Sequence, residues 1–272
     1  MTTIPQHDTI GNVLREWRQR RRFSQMELAG EAAVSTRHLS FVESGRATPS
    51  REMLLRLAEP LGMPLRERNR LLLAGGFAPH YPERSLDAPD MAAAKRAVEA
   101  VLAAHEPFPA LAVDRHWTLI AANRAVGPLL SAVAPQLLEP PVNVLRLSLA
   151  PTGLAPSILN LAEWRRHLLE RLRREAEASG DIALLHLHDE LRALPAPASP
   201  VPPTASGSIV VPLVLRHPGT GDRLSFLSTT TVFGTAADVT LAELTLECFY
   251  PADEETRVAL LGGSALQARR SQ

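Results

Sequence analysis

The stretch SQMELAGEAAVSTRHLSFVESG at residues 24–45 predicts two short helices joined by a tight turn. Ser24 and Glu27 form a capping box, because the serine hydroxyl can accept from the Glu27 amide while the glutamate reaches back to the serine amide. Ser35 caps a second helix, which ends at Gly45, a residue suited to a left-handed C-cap. The stretch therefore predicts a helix, a turn and a second helix in direct succession.

The helical period continues on both sides of this stretch. Apolar residues recur at helical spacing over residues 9–19, in a helix that follows the cap at Ser50, and in a fifth helix over residues 65–74. We therefore expect an all-α, five-helix domain at residues 10–74, preceded by an N-terminal arm at residues 1–9.

The charge of the chain is unevenly distributed. Its formal net charge is zero, yet residues 1–80 carry twelve arginines against eight acidic residues, a net of +4. The remainder carries seventeen basic and twenty-one acidic residues, a net of −4. A basic head on an acidic body suits binding to phosphates, although chance scatter of surface charge gives the same count.

The N-terminal domain resembles the Xre/Cro/C1 repressor family of helix-turn-helix domains. The match runs in one register without gaps, and the ordered set is more specific than any single element. The resemblance implies sequence-specific binding of double-stranded DNA, with the second helix of the pair in a major groove about 12 Å wide. The matching residues are Leu14, Arg18, Ser24, Gln25, Leu28, Ala29, Val34, Ser35, Leu39, Val42, Glu43, Gly45, Pro49, Leu54, Leu57, Ala58 and Leu61.

The second helix of the pair carries the predicted base contacts. Leu39 and Val42 must point into the core, so the residues beside them in the helical register face outward. Arginine bonds guanine in a bidentate manner, and an aromatic ring suits a thymine methyl. The predicted DNA-binding residues are Gln25, Ser35, Thr36, Arg37, Ser40, Phe41 and Arg46.

Different roles are expected within this set. Arg37 is the candidate guanine contact and Phe41 the candidate thymine contact. Gln25 and Arg46 suit the phosphate backbone instead. Two alternatives stay open, namely Arg37 as a solvated surface residue and Phe41 as a core or dimer residue.

The turn between the two helices departs from the family pattern. This turn usually carries glycine, and Ala33 stands there in this chain. If the backbone φ is positive, alanine costs roughly 1 kcal/mol, which affects the fine docking geometry rather than the fold.

A domain boundary follows the five helices. Residues 75–89 hold two glycines and three prolines, and a helix to about His105 follows, so a linker and connecting helix are predicted at residues 75–106. The apolar period then changes from 3.6 to 2, which predicts a hairpin at residues 110–121 before a largely helical stretch at residues 141–194. Three further strands are predicted at Ile209 to Arg216, Arg223 to Phe233 and Thr240 to Tyr250.

This order of elements is typical of a PAS-like domain, which we expect at residues 107–252, with a C-terminal helix and tail at residues 253–272. The run ALAVDRHWTLIAANRAV at residues 110–126 resembles a PAS first hairpin, ending in Asn123, which caps a helix. A Pro/Ala/Ser segment at residues 195–207 is interpreted as a surface loop. The expected fold is a two-domain one, with an all-α head and an α+β body that contains an antiparallel sheet.

The chain as a whole resembles regulators that have an MmyB-like (MltR-type) ligand-binding domain after an Xre head. The resemblance implies a transcription regulator whose PAS-like domain holds a small apolar ligand such as a fatty acid. The segments that carry it are STRHLSFVESGRATPSREMLLRLAE at 35–59, HEPFPALAVDRHWTLIAAN at 105–123 and LSFLSTTTVFGTAADVTLAELTLECFYPADEET at 224–256.

An apolar cavity is expected between one face of the sheet and the helices that cover it. The other face alternates Thr, Glu and Ser, and we expect it to meet water. The sequence does not identify a polar group for the head of an amphiphile. The predicted ligand-binding residues are Leu111, Val113, Leu119, Leu145, Leu149, Ile158, Trp164, Leu168, Phe226, Phe233 and Leu246.

The sequence offers little support for catalysis or for a metal site. It contains no nucleophile elbow, glycine-rich phosphate loop or H-E-x-x-H helix, so an enzyme fused to the head is a minor alternative. Cys248 is the single cysteine, which excludes an intramolecular disulfide and a cysteine metal cluster. His186 and Glu190 share a helical face, but an exposed polar surface explains that pair better than a metal does. We expect no metal and no cofactor apart from a bound fatty acid or similar apolar ligand.

The function expected from the sequence is regulatory. Apolar runs fall short of the roughly 18 residues that cross a bilayer, and residues 1–9 lack the apolar core of a signal peptide. We expect a cytoplasmic homodimer, without membrane contact, that binds an inverted repeat of DNA and a hydrophobic small molecule. The alternative body is a ligand-free dimerisation or protein-interaction module. A dry apolar cavity favours the first interpretation, and a filled core with a large exposed apolar patch favours the second.

Overall fold

The computed structural model describes residues 9–195 and 210–270, apart from the side chains of residues 263–270. Four of the sequence predictions therefore lie wholly or partly outside the described residues. They are the N-terminal arm up to residue 8, the Pro/Ala/Ser loop from residue 196, the first residue of the strand predicted from residue 209, and the last two residues of the tail.

The chain forms two compact units. Over the described residues, the first comprises residues 9–84 together with residues 234–242, and the second comprises residues 85–195, 210–233 and 243–270. The second unit thus begins inside the predicted linker, and one short segment predicted within the PAS-like body belongs to the first unit.

Short capped helices build the first unit, and they confirm the all-α, five-helix head. The helices are α1 (Ile10–Arg20), α2 (Gln25–Glu31), α3 (Thr36–Glu43), α4 (Arg51–Ala58) and α5 (Leu65–Ala74). Side chains of Thr9, Ser24, Ser35 and Ser50 accept from the first-turn amides of α1 to α4. The capping box at Ser24 is complete, because Glu27 also accepts from the Ser24 amide at 2.7 Å.

The core of the first unit lies where the apolar faces of these helices meet. Leu14, Trp17 and Leu39 are almost fully buried there. Helices α1 and α3 approach closely at Gly11, where a Cβ would lie 2.3 Å from the carbonyl oxygen of Glu43. Glycine at this position lets α3 pack tightly on α1 with one face, while its opposite face meets solvent.

The second unit contains an antiparallel sheet of five strands in the order β2-β1-β5-β4-β3. The strands are β1 (Ala110–Val113), β2 (Leu119–Ala122), β3 (Leu213–Arg216), β4 (Arg223–Val232) and β5 (Thr245–Pro251). In the register of β1 and β5, Ala110 lies opposite Cys248 and Leu111 lies opposite Glu247. The structure confirms an α+β body with an antiparallel sheet.

Helices cover both faces of this sheet. They are α6 (Ala92–Ala104), α7 (Val144–Leu149), α8 (Leu161–Ser179) and α9 (Ile182–Ala193). Alternate residues of a strand point to opposite faces. Ala110 and Ala112 therefore pack in a cluster with Val98 of α6, whereas Val113 packs in a larger cluster with Leu168 of α8. The expectation that this face meets water holds only in part, because α6 covers it at Ala110 and Ala112 whereas Thr229 and Thr231 of β4 on the same face are exposed.

Asn123 does not cap a helix, contrary to the prediction. Its side chain is buried, and its Oδ1 accepts from the amide of Ala110 at 3.1 Å. Its Nδ2 donates to the carbonyls of Leu102 at 3.1 Å and Phe108 at 2.8 Å. The three backbone groups lie between the end of α6 and the start of β1, so the Asn123 side chain links these two elements. Buried polar groups of the backbone need hydrogen-bond partners, and this side chain supplies them instead of capping a helix.

The predicted strand at residues 240–250 begins later than expected. Residues Val239–Ala242 form a helical turn instead, because the Oδ1 of Asp238 accepts from the amide of Thr240 at 2.9 Å and starts that turn. Val239 is fully buried in the first unit, and its amide donates to the carbonyl of Pro82 at 2.8 Å. The strand proper therefore starts at Thr245.

Candidate functional site

Helix α3 presents a polar face to solvent in the first unit. Leu39 and Val42 are buried in the core, whereas Thr36 and Arg37 are exposed. Ser40, on the same helix, is half-buried. The helix therefore has one face fixed in the core and one face available to a groove.

Arg37 and Phe41 lie next to each other on this exposed face. The Cζ of Arg37 is 5.4 Å from the centroid of the half-buried Phe41 ring, so the guanidinium lies over the ring in a cation–π contact. Arg46 follows the helix and is exposed. The hydroxyl of Ser35 accepts from the amide of His38 at 3.1 Å, so its first role is to cap α3.

A buried carboxylate joins the three helices of this region. Glu43 of α3 receives Arg18 of α1 through both carboxylate oxygens, at 2.7 and 2.9 Å, and Gln25 of α2 through its side-chain amide at 2.8 Å. Burial alone would raise the pKa of the Glu43 carboxyl, but the hydrogen bonds from Arg18 and Gln25 outweigh it and hold the pKa below its ordinary value. The Gln25 side chain, predicted to hold a phosphate together with its backbone amide, is therefore engaged in this network.

The turn between α2 and α3 has the strained conformation anticipated for Ala33. Its φ is +50°, in the left-handed region that favours glycine. A guanidinium nitrogen of Arg56 in α4 donates to the carbonyls of Ala32 at 2.7 Å and Ala33 at 2.6 Å. These bonds from α4 hold the turn in place despite the strain.

The second unit contains an apolar cavity of about 100 Å³ between the sheet and helices α7 and α8. Leucine, valine, tryptophan and phenylalanine side chains form most of its wall. Ligand pockets for drug-sized molecules have volumes of roughly 300–1,000 Å³, so this cavity is a small one.

The residues predicted to bind a ligand are divided between four environments, of which three are on the cavity side or at the edge of the sheet. Val113, Leu149 and Ile158 lie in the same core cluster as the cavity but outside its wall, and Leu119 is half-buried at the edge of the sheet. The cavity wall includes five of the predicted residues, namely Leu111, Leu145, Trp164, Leu168 and Phe226.

Two of the predicted lining residues lie on the opposite side of the sheet. Leu246 and Phe233 pack in the cluster covered by α6. The alternation of side chains between the two faces along β5 was predicted correctly. The cavity, however, lies on the face of Glu247 and not on the predicted face of Leu246. Glu247, expected to meet water, lines the cavity together with Phe249 of the same strand.

The sequence prediction missed the polar side chains at the cavity. They are Ser148, Arg171, Ser228 and Glu247. A signal for Arg171 was present, because Trp164, Leu168 and Arg171 recur at helical spacing on the apolar stripe of α8. Glu247 lies 76 residues further along the chain, and nothing local in the sequence pairs it with Arg171.

Arg171 and Glu247 form a buried ion pair. Nη2 of Arg171 donates to Oε1 of Glu247 at 2.7 Å, and Nη1 donates to Oε2 at 3.2 Å, while the two side chains are 20% and 5% exposed. Burial alone would lower the pKa of Arg171, but the bonds to Glu247 outweigh it and raise the pKa above its ordinary value. The two hydrogen bonds fix the geometry of the pair.

An open cleft of about 430 Å³ lies next to this ion pair. It runs between α8 and β4, and its wall includes His167, Arg174 and Thr230. Arg171 and Ser228 line both the cleft and the apolar cavity, so they form the boundary between the two.

The histidine and glutamate weighed as a metal pair are otherwise explained. Glu190 receives Arg146 through both carboxylate oxygens at 2.7 Å, and His186 is exposed. Over the described ranges, no three His, Cys, Asp or Glu side chains come together in a way that suits a metal ion. No described helix combines the length and the apolar character that crossing a bilayer demands.

Comparisons with solved structures give two resemblances. The clp gene regulator ClgR from Corynebacterium glutamicum is similar over 36% of this chain and 90% of that chain, with 27% identity and a TM-score of 0.22. An RNA-binding light-oxygen-voltage receptor is similar over 96% of this chain and 64% of that chain, with 15% identity and a TM-score of 0.30. Comparison with curated proteins finds no match.

Two family models match the chain, one for each of its functional parts. Residues 9–71 match a helix-turn-helix domain. Residues 94–261, more than half of the chain, match the MmyB-like transcription regulator ligand binding domain. The chain is a DNA-binding transcription regulator and belongs to the MmyB-like family.

Proposed function

We propose that the chain acts as a homodimer that reads an inverted repeat of double-stranded DNA with α3 and responds to a hydrophobic small molecule. Thr36, Arg37 and Phe41 supply the hydrogen-bond donors and the apolar ring that major-groove readout uses, and Arg46 supplies charge for a phosphate. Heads related by a two-fold axis would place their α3 helices about 34 Å apart, one turn of the duplex. We propose the cytoplasm as the compartment in which this DNA is bound.

The apolar cavity in the second unit is the observation that carries the ligand half of this proposal. Each CH₂ group of an alkyl chain buried there contributes roughly 0.8 kcal/mol, which suits a fatty acid or a similar amphiphile. Its volume of about 100 Å³ requires lining side chains to move apart when a long chain enters. The occupied and empty states therefore differ in packing, and a ligand with unequal affinity for two states shifts their balance.

Titration of the delipidated, full-length protein with fatty acids of increasing chain length tests the ligand half. Thermal unfolding and calorimetry would report binding. Leu145→Phe fills the cavity, and Leu246→Phe is its matched control on the opposite sheet face, since overpacking costs about 1–3 kcal/mol at either position.

We expect fatty acids to stabilise the wild type and Leu246→Phe and to lose this effect in Leu145→Phe. Equal stabilisation of all three proteins would contradict binding in the cavity. If no chain length stabilises the wild type, the body is better explained as a ligand-free dimerisation or interaction module.

A further inference from the structure

The segment that joins β4 to β5 belongs to the first unit, although both strands belong to the second. The strands are paired up to Val232 opposite Thr245, the two residues that flank this segment. Both strands also contribute to the wall of the apolar cavity, β4 through Phe226 and β5 through Phe249. One hairpin therefore carries part of the cavity wall on its strands and a piece of the DNA-binding unit at its tip. We call residues 234–242 the clasp.

The clasp is held in the first unit by a buried side chain and a backbone hydrogen bond. Val239 is fully buried, and its amide donates to the carbonyl of Pro82 at 2.8 Å. The helical turn that begins at Val239 packs against α5. Burial of the apolar side chain favours this docked arrangement.

The carboxylate of Asp238 opposes the docked arrangement. Its side chain is 6% exposed, and its Oδ1 accepts from the amide of Thr240. Its Oδ2 is buried without a hydrogen-bond donor in the described part of the chain, and it lies 3.6 Å from Nη1 of Arg84. A buried acceptor without a hydrogen bond costs free energy of the same order as burial of one valine gains, and a partly exposed arginine offsets only part of that cost. The clasp is therefore held by opposing contributions of similar size, which suits a contact that opens and closes.

The clasp contacts a segment that is fixed to α5. Oδ1 of Asn69 accepts from the amides of His80 at 2.9 Å and Tyr81 at 3.0 Å, and its Nδ2 donates to the Tyr81 carbonyl at 2.6 Å. Pro82, whose carbonyl accepts from Val239, follows directly. Helix α5 packs in turn against α1, and α1 packs against α3. A chain of packed elements therefore joins the clasp to the helix that carries the predicted base contacts.

We propose, on the basis of the ligand-binding function above, that the clasp couples the cavity to the DNA-binding head and that ligand entry opens it. A cavity of about 100 Å³ has to widen for an alkyl chain, and β4 and β5 move together because backbone hydrogen bonds join them. Their displacement draws Val239 away from Pro82. Close-packed contacts switch between discrete arrangements rather than stretch, so a small shift of the hairpin is enough to open the clasp.

Coupling of this kind is reciprocal. If a ligand favours the open clasp, a protein whose clasp is already open binds that ligand more tightly. Val239→Ala removes buried apolar contacts and should open the clasp without a ligand. Val232→Ala is the matched control, because Val232 lies in the same hairpin but is 57% exposed.

Hydrogen exchange of the delipidated, full-length protein reports the state of the clasp, because the Val239 amide is protected while it is bonded to Pro82. Octanoate, dodecanoate and hexadecanoate would first be titrated by calorimetry, and the tightest binder would be added to saturation. We expect the Val239 amide of the wild type to exchange about tenfold faster or more with the ligand bound. The amide of Gly221, which donates to the carbonyl of His217 in the turn at the other end of β4, should not be accelerated.

The two variants extend the test to ligand affinity. In Val239→Ala we expect fast exchange of the same amide without ligand, and an affinity for the same fatty acid at least about fivefold higher than in the wild type. We expect Val232→Ala to match the wild type in both measurements. If Val239→Ala does not fold, the exchange measured in the wild type still decides the proposal.

The outcomes distinguish this coupling from the ligand-binding function. Unchanged or slower exchange of the Val239 amide in the ligand-saturated wild type would overturn the coupling and leave ligand binding standing. Equal ligand affinity of the wild type and a Val239→Ala protein whose amide exchanges fast would do the same. Failure of all three fatty acids to bind the wild type would overturn the ligand-binding function, and the coupling with it.

Discussion

Replacement of Ala33 by glycine should stabilise the DNA-binding head. The alanine has a φ of +50°, and an L-residue in this region costs roughly 1–2 kcal/mol relative to a right-handed conformation. Glycine avoids that cost but loses about 0.4–1 kcal/mol more conformational entropy on folding. The difference predicts a gain of about 0.5–1 kcal/mol for Ala33→Gly. A gain of 1 kcal/mol raises the melting temperature of a domain of 60–100 residues by about 4–8 °C.

The matched control for this change is the preceding residue. Ala32 has a φ of −83° and is buried, so Ala32→Gly removes packing and adds entropy without relieving strain. Urea unfolding of the full-length protein would be combined with hydrogen exchange of peptides from residues 10–61. We expect slower exchange in Ala33→Gly and faster exchange in Ala32→Gly. Destabilisation by both substitutions to the same extent would refute the strain at Ala33.

The remaining predictions concern DNA readout and pH. Arg37→Ala should cost about 1–3 kcal/mol on the cognate site and relax the base preference at one position, as measured by binding to a selected site and its single-base variants. Equal weakening on every sequence would instead assign Arg37 to a phosphate. Because the folded pKa of Glu43 lies below its ordinary value of about 4.3, its contribution to stability is complete above that value and is lost as the pH falls through the folded pKa. Urea unfolding between about pH 6 and pH 3 should show a larger loss for the wild type than for Glu43→Gln, and identical pH profiles would count against the network.

The head could be predicted in detail because its signals are local. Capping residues such as Ser24 and Ser35 lie within four residues of the amides they bind, and the apolar period places residues such as Leu39 in the core. Even the strain at Ala33 follows from a turn whose length and position are fixed by the helices on either side. The partner network of Glu43 was not predicted, because it joins three separate helices.

The body was predicted only to the level of its elements. The alternation along β5 is correct, but which face meets the cavity depends on where α6 packs, and α6 is distant in sequence. One side chain, that of Asp238, converts the predicted start of β5 into a helical turn. The ion pair of Arg171 and Glu247 depends on the packing of α8 against the sheet, which the sequence does not show. The one sequence signal for this pair was the position of the charged Arg171 on the apolar stripe of α8.

The most direct test of the account is the affinity for DNA with the cavity filled and empty. A site selected from random duplexes would be titrated with delipidated wild type, and with delipidated Leu145→Phe as control, in the presence and absence of a ligand shown to bind the wild type. The account predicts that this ligand changes the affinity of the wild type for DNA by about tenfold or more and leaves that of Leu145→Phe unchanged. An unchanged affinity in the wild type, with ligand binding confirmed in the same samples, would contradict the claim that the cavity controls DNA binding.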